Sequence, residues 1–350
     1  MKIIHTADIH LGSKIDSLHP KSLADERKNE IRNTFLKMTE YAKENGVFAI
    51  IIAGDLFDSD RPFRKDKDFF CGVVADNPDI DFLYLRGNHD INSFGGETPE
   101  NLKTFSDGWT TYSYGNVNIT GAEITQSNIV SLYTALSLPS DGINIVTLHG
   151  QVGDGASDIN LRRLREKNID YLALGHVHKP QAGKLDGRGF YAYCGCLEGR
   201  GFDEPGEHGF ILIDTENGLK TEFVPFAKRK IVEENVDVSG VSNHYEAYKK
   251  VGEQVSFDKN NIYRINLVGE VSFETELSVS SVEKYIADRC FFASVKDKTS
   301  KKINIKDFEN DISVRGEFVR TVTASDLSDE EKTEIIRCGL AALSGKEIEF

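Results

Sequence analysis

Five short clusters hold side chains able to ligate metals: Asp8-x-His10, Gly54-Asp55-Leu56-Phe57-Asp58, Gly87-Asn88-His89-Asp90, His149-Gly150 and Gly175-His176-Val177-His178. Carboxylate and imidazole together suit Mn²⁺, Fe²⁺ or Zn²⁺, whereas all-oxygen shells favour Mg²⁺ or Ca²⁺. Two such ions, roughly 3.5–4 Å apart, clamp a phosphate, polarise it and generate hydroxide for in-line attack. Asp55 is well placed to bridge the pair. Glycines before Asp55, Asn88 and His176 let the backbone turn sharply towards the ions. Taken singly, Asp8-x-His10 reads as a hydrogen-bonded turn, Gly54-Asp55 as a loop start and His149 as a satisfied strand-end histidine. GNHD has no obvious packing role, and two histidines spaced by two share one face of a strand. Taken together and in this order, the clusters point to one metal site.

The elements that must position these residues are legible in the same stretches. Each cluster ends an apolar strand: KIIHTA, VFAIIIA, DFLYL, INIVTLH and YLALG. In open α/β sheets, ligands collect outside the carboxyl ends of the strands, so all five clusters are expected in one crevice. Ile31, Phe35, Met38 and Ala42 recur at spacings of three and four, which predicts a helix from about residue 22 to 45, closed by Gly46. Strand alternating with helix implies an α/β sandwich. Further on, GFILIDTENGLKTEFVPF reads as a hairpin turning at Glu216-Asn217-Gly218, and RRLREKNID as the end of a helix. NNIYRINLVGEV and the segment from Lys302 to Val322 read as strands of a smaller domain. Ser328 with Glu331 forms a capping box that starts a last helix. The expected division is a catalytic domain over 1–227 and an accessory domain over 228–350.

At 350 residues the chain exceeds what one core usually serves. No apolar run approaches the ~20 residues of a membrane span, so no membrane role is expected. The amino-terminus turns polar too soon for the apolar stretch of a signal peptide. The five cysteines are odd in number and form no CxxC pair, which argues against a disulfide framework and for a reducing cytoplasm. Cys194 and Cys196 read as small buried thiols. The net charge of −14 opposes simple electrostatic binding of DNA. The best basic patches, Arg61-Pro62-Phe63-Arg64-Lys65 and Lys228-Arg229-Lys230, read as solvated surface.

The ordered set of clusters resembles the motifs of the calcineurin-like metallophosphoesterases over roughly residues 1–226. That resemblance implies an α/β fold of α/β/β/α type, a β-sandwich flanked by helices, with a small α+β capping domain. By position, Asp8, His10, Asp55 and His178 would hold one ion and Asp55, Asn88, His149 and His176 the other. His89 would protonate the leaving oxygen or stabilise the transition state, and Asp90 would orient it. TADIHLG, GDLFD, YLALGHVHKPQ and GCLEGRGFDEPGEHGF look like the SbcD and YhaO branch of DNA-repair exonucleases, and residues 312–348 resemble the YhaO-type end more loosely. The branch implies Mn²⁺-dependent cleavage of DNA, homodimerisation and an SMC-like coiled-coil ATPase partner of the SbcC or YhaN type. Asp58 and Arg61 are the positions where substrate contact is expected, although Asp58 also reads as structural. The alternative substrates are small nucleotides or other phosphoesters, and a third reading is a regulatory subunit that has lost activity.

Overall fold

A computed structural model describes residues 1–15, 21–89, 94, 97–302 and 308–343. The described residues divide into two compact units, one of Met1–Val232 with Asn260–Ile262, the other of Glu233–Lys259 with Tyr263–Phe350. In chain order the first unit contains β1 (Lys2–Thr6), α1 (Lys21–Glu44), β2 (Val47–Ala53), α2 (Arg64–Ala75), β3 (Asp81–Leu85), β4 (Leu102–Thr104), β5 (Thr110–Tyr114) and β6 (Val117–Gly121). There follow α3 (Ile129–Ala135), β7 (Ile143–His149), α4 (Leu161–Leu164), β8 (Tyr171–Gly175), β9 (Gln181–Lys184), β10 (Phe190–Tyr193), β11 (Gly209–Asp214) and β12 (Lys220–Pro225).

These strands form two six-stranded sheets, ordered β12-β11-β1-β2-β3-β4 and β5-β6-β7-β8-β10-β9. Within them β1–β4 run parallel to one another, as do β6, β7, β8 and β10. Alternate residues of each sheet, among them Ile3, Ala49, Ile51 and Leu83 facing Ile119, Ile145, Tyr171 and Ala173, make one apolar layer between the sheets. The intervening positions are also buried, which explains why the strands read as continuous apolar runs. Phe70 of α2 packs between Phe82 of β3 (ring centroids 6.3 Å apart) and Phe35 of α1 (5.7 Å). On the outer face of the second sheet, Ile129, Tyr133 and Leu164 cover Val146, Leu172 and Leu174. The architecture is the helix-flanked sandwich the motifs imply.

One buried ionic knot ties α1 to the segments that follow β10 and β12. Arg27, fully buried, pairs with Glu30 and donates to Glu198 Oε2 (2.9 Å) and the Gly199 carbonyl (2.7 Å). Glu198 also accepts from Thr34 (2.6 Å) and the Lys228 amide (2.6 Å), and Glu30 from Lys228 (2.6 Å) and Arg229 (2.7 Å). Lys228-Arg229-Lys230 is therefore not simply solvated surface. Arg229 is buried in this knot and keeps residues 228–232 with the first unit.

The second unit is α+β. Apart from Ile231, Val232 and Ile262, which belong to the first unit, it contains β13 (Ile231–Asp237), α5 (His244–Gln254), β14 (Ile262–Val268), β15 (Glu270–Ser272), α6 (Val279–Ile286), β16 (Phe292–Asp297), β17 (Ser300–Lys302), α7 (Val314–Thr323) and α8 (Asp329–Leu343). Among the described residues, a three-stranded sheet β13-β14-β16 and a two-stranded sheet β15-β17 account for its strands. The expected strand between Lys302 and Val322 is instead largely helix α7, capped by Ser313 and packed through Val319 and Val322 against Ile336 and Leu340 of α8. Two β-branched valines at helical spacing misread as strand because their burial is supplied by α8 (tertiary packing overrides propensity). Residues 303–307 and 344–348 of the stretches read above lie outside the described residues. The Ser328 capping box is present, Ser328 N to Glu331 Oε2 (2.9 Å) and Glu331 N to Ser328 Oγ (3.3 Å).

The ionic knot carries a stability prediction. Arg27→Met keeps the bulk but strips a cation from two buried carboxylates, and a broken buried pair costs about 3–5 kcal/mol. Urea denaturation at neutral pH should show a loss of that size; a loss below about 1 kcal/mol would mean that the knot contributes little.

Candidate metal centre

Every cluster sits at the carboxyl end of a parallel strand. Asp8 and His10 follow β1, Asp55 and Asp58 follow β2, Asn88 and His89 follow β3, His149 ends β7, and His176 and His178 follow β8. The loops after β1 and β2 are stitched together by main-chain bonds, Asp8 N to Gly54 O (3.0 Å), His10 N to Asp55 O (3.0 Å) and Leu11 N to Leu56 O (2.8 Å). Four of the expected ligands have left-handed backbone: Asp8 (φ 51°), His10 (φ 50°), Asp55 (φ 51°) and His176 (φ 103°). Such conformations cost non-glycine residues of order 1–3 kcal/mol each and persist where the surroundings over-determine them.

The glycines act chiefly by making room. A Cβ on Gly54 would stand 2.1 Å from His149 Nδ1, one on Gly87 2.1 Å from Asp55 Oδ1, and one on Gly175 1.8 Å from the Ala53 carbonyl of the other sheet. Only Gly54 (φ 95°) also needs the positive-φ backbone. The expectation that all three glycines serve sharp turns is thus corrected: at Gly87 and Gly175 the constraint is the close approach of two loops or two sheets.

Two groups of ligand atoms result, Asp8 with His10 and His178, and Asp8 with Asp55 and His149, the atoms of each lying within 4.8 Å of one another. Asp8 is common to both. His176 and His178 do not share a strand face; both lie beyond β8 and diverge. His178 Nε2 faces His10 Nε2 at 3.2 Å. His176 turns to Asn88 (Nδ1 to Nδ2, 3.2 Å) and stands edge-on to His149, with ring centroids 5.4 Å apart. The His176 amide donates to both Asp8 oxygens, at 3.0 and 2.9 Å. Exposed His89 is held at the mouth by its amide, which donates to Asp55 Oδ1 (2.9 Å), and its ring is 5.4 Å from that of His10. Asp90 lies outside the described residues. Arg61 is exposed on the loop after β2, where its amide bonds Ser59 Oγ (3.2 Å). Asp58 Oδ1 lies 3.0 Å from His10 Nδ1 and accepts from Arg200 Nη1 at 2.9 Å. His5, outside the clusters, is buried between the sheets against Tyr171 Oη (2.8 Å).

The donor set fits divalent cations. His149 Nδ1 donates to the Ala53 carbonyl (2.8 Å), so loss of the ring's second proton bares Nε2, which is buried, makes no hydrogen bond and lies 3.4 Å from Asp55 Oδ2. His178 Nδ1 meets the Glu204 carboxylate at 2.7 Å and His10 Nδ1 meets Asp58 at 3.0 Å. A carboxylate only accepts, so in the neutral imidazoles both protons belong on Nδ1 and two Nε2 lone pairs confront each other. A cation between them removes that repulsion. Mixed carboxylate, imidazole and amide donors match Mn²⁺, Fe²⁺ or Zn²⁺.

The protein's own field shows what a cation would relieve. Burial pushes the Asp8 carboxyl up to about 6, although His149 and His178 pull against it. Burial brings the His10 imidazole down to about 4. Burial also acts to lower His149, but Asp55 first and Asp8 next outweigh it and lift the ring to about 9. Asp55, despite burial, is held well below the usual carboxylate range by His149 and the His89 amide.

Sequence reasoning missed Glu204 and Arg200, which stand directly behind His178. Their signal was the acidic and basic residues of GCLEGRGFDEPGEHGF, which follow β10 as the other clusters follow their strands.

The chain belongs to the calcineurin-like phosphoesterases, whose family model matches residues 1–180. It is a metal-dependent hydrolase of phosphate esters, and the centre characteristic of its family holds two metals. Among curated relatives it is 25% identical over 357 residues to the DNA double-strand break repair protein Mre11 of Haloferax volcanii, covering 97% of this chain and 75% of that one. It is 25% identical over 335 residues to Mre11 of Sulfurisphaera tokodaii, covering 86% and 82%. An uncharacterized metallophosphoesterase, YhaO of Bacillus subtilis, is 24% identical over 245 residues, covering 62% and 58%. No helix among the described residues is long and apolar enough to cross a membrane.

Two predictions follow from the geometry. At pH 7 His149, lifted to about 9, carries a proton that a metal must displace, so binding Mn²⁺ should release protons and affinity should rise between pH 6 and 9. Calorimetry in buffers of different ionisation enthalpy reads the proton count; zero release at pH 7 would contradict the assignment. Gly87→Ala should force Asp55 aside, because its Cβ would overlap Oδ1, and should weaken Mn²⁺ binding at least tenfold while the fold persists by circular dichroism.

Proposed function

We propose that this protein is a two-metal phosphodiesterase that cleaves DNA, as an exo- or endonuclease subunit of double-strand break repair. The observation that carries the reading is the gathering of the ligand atoms into two overlapping groups at the carboxyl ends of strands from both sheets. In this reading Asp8, His10, Asp55 and His178 hold one ion and Asp55, Asn88, His149 and His176 the other, with Mn²⁺ as the working metal. The bound ions supply positive charge that polarises the phosphodiester and acidifies a water.

The chain's own residues do the rest. His89, exposed at the mouth and tethered through its amide to Asp55, hands a proton to the departing oxygen. Asp90, next in sequence, orients that ring. The buried sides of Asp8, Asp55 and His149 exclude water from behind the site, which strengthens each charge interaction there. Asp58 and Arg61 border the approach to the centre as sites of substrate contact.

The relatives named Mre11 support DNA as the substrate, and the net charge of −14 opposes unaided binding to it. An SMC-like coiled-coil ATPase of the SbcC or YhaN type that grips the DNA, and a homodimer that presents two centres, reconcile the two. The absence of disulfides among the five cysteines supports work in a reducing cytoplasm. The same charge favours the second reading, a phosphodiesterase of small nucleotides, which needs no extended basic surface.

Purified protein stripped with chelator and reloaded with Mn²⁺ should degrade linear duplex DNA, alone or with its ATPase. His89→Ala should slow this by about 10²–10⁴-fold with Mn²⁺ binding kept. Efficient cleavage of cyclic or linear dinucleotides with no action on DNA in either condition would establish the second reading. Full activity in Asp55→Asn would refute the two-metal mechanism itself.

A further inference from the structure

The contacts behind the centre are asymmetric. The group of Asp8, His10 and His178 is backed by a chain of side chains that the other group lacks among the described residues. His178 Nδ1 meets Glu204 Oε1 at 2.7 Å, and Glu204 is only 6% exposed. The Arg200 guanidinium donates to that same oxygen through Nε (3.1 Å) and Nη2 (2.8 Å). Its remaining arm, Nη1, donates to Asp58 Oδ1 at 2.9 Å, the oxygen that lies 3.0 Å from His10 Nδ1. Glu204 Oε2 is fixed in turn by the Arg200 amide (2.7 Å). One guanidinium thus joins two carboxylates, and each carboxylate stands behind one of the two imidazoles whose Nε2 atoms face each other at 3.2 Å. The second group is backed by main chain instead, His149 resting on the Ala53 carbonyl.

At His178 two tautomers compete for the same ring atom. Nδ1 either donates to Glu204 at 2.7 Å or accepts from Arg200 Nη2, which lies 3.2 Å away. Only the first leaves Nε2 bare towards Asp8 and His10. The second turns an N–H into the place of the ion and opposes binding. The shorter, charge-assisted contact favours the first. Arg200 keeps Glu204 ionised and aimed, and its planar fork reaches both carboxylates at once, which a lysine cannot do.

We propose that Glu204 and Arg200 are positioning residues for one ion only, the ion held by Asp8, His10 and His178, Glu204 by fixing the tautomer of His178 and Arg200 by aiming Glu204 and holding Asp58 beside His10. This rests on the two-ion reading given above. It makes the two ions unequal, with affinity at the first set by an ionic chain from the loop after β10 and affinity at the second independent of it.

Calorimetric titration of the chelator-treated full chain with Mn²⁺ alone tests this, with thermal unfolding of each variant recorded alongside. Glu204→Gln, which keeps shape but removes the charge, should weaken one of two binding events by about 10–100-fold and leave the other unchanged, at an unaltered unfolding temperature. Arg200→Lys should weaken the same event, by less. If Glu204→Gln is unfolded at the assay temperature, Arg200→Lys decides by the same criterion. Wild-type affinity at both events, or equal weakening of both, would overturn the proposal. His178→Ala separates the two levels: two intact events there sink the ligand assignment itself. Loss of one event there with none in Glu204→Gln sinks only the positioning role.

Discussion

Crowding of carboxylate and imidazole groups out of reach of water is the constraint around which the first unit is organised. Asp8, His10, Asp55 and His149 are all nearly inaccessible, and their ligand atoms converge within a few ångströms. Burial pushes Asp8 up to about 6 and His10 down to about 4, disfavouring the charged form of each, while the carboxylates of Asp55 and Asp8 lift His149 to about 9 against its burial. Both displacements at Asp8 and His10 express one fact: water is excluded from a site whose carboxylates and ring lone pairs want positive charge. Divalent ions answer both demands, and the family's dimetal chemistry follows from that.

Holding the cluster requires unfavourable local geometry, and the surrounding structure opposes its relaxation. The left-handed backbones of Asp8, His10 and Asp55 lie in two loops cross-linked by four main-chain hydrogen bonds. Isolated, each residue would relax to ordinary extended backbone; linked, neither loop moves without breaking bonds to the other. Gly54, Gly87 and Gly175 allow the loops and sheets to approach so closely that any side chain there would overlap a ligand or its support. The buried knot of Arg27, Glu30, Glu198 and Arg229 anchors the chain to α1 a few residues before Arg200 and Glu204.

The acidic balance of the chain takes on a more specific meaning in this light. Arg27, Arg200 and Arg229 are consumed by buried or half-buried carboxylates, so these cations contribute to folding and to the centre rather than to a surface for polyanions. A substrate as charged as DNA then calls for cations supplied from elsewhere, which is why a DNA-gripping partner accompanies the nuclease reading.

Much of this was legible along the chain. The five clusters, their order, the apolar strands that carry them, the hairpin between β11 and β12 and the Ser328 cap are local features, written in residue type and in periods of two or three to four. The metal chemistry follows from the same residue types. What the linear pattern could not decide was which side chains meet across more than a hundred residues. His176 and His178, neighbours in sequence, part to different groups, whereas His178 and His10 face each other across 168 positions. Glu204 and Arg200 acquire a role only because β10 lies beside β8, and Arg229 leaves the surface only because α1 presents Glu30 to it. The strand misread at residues 314–322 belongs to the same category, since α8 supplies the apolar face that makes it a helix. Residue type and short spacing determine what chemistry is available; strand order and close packing determine which groups share it, because those contacts form only after the sheets have closed.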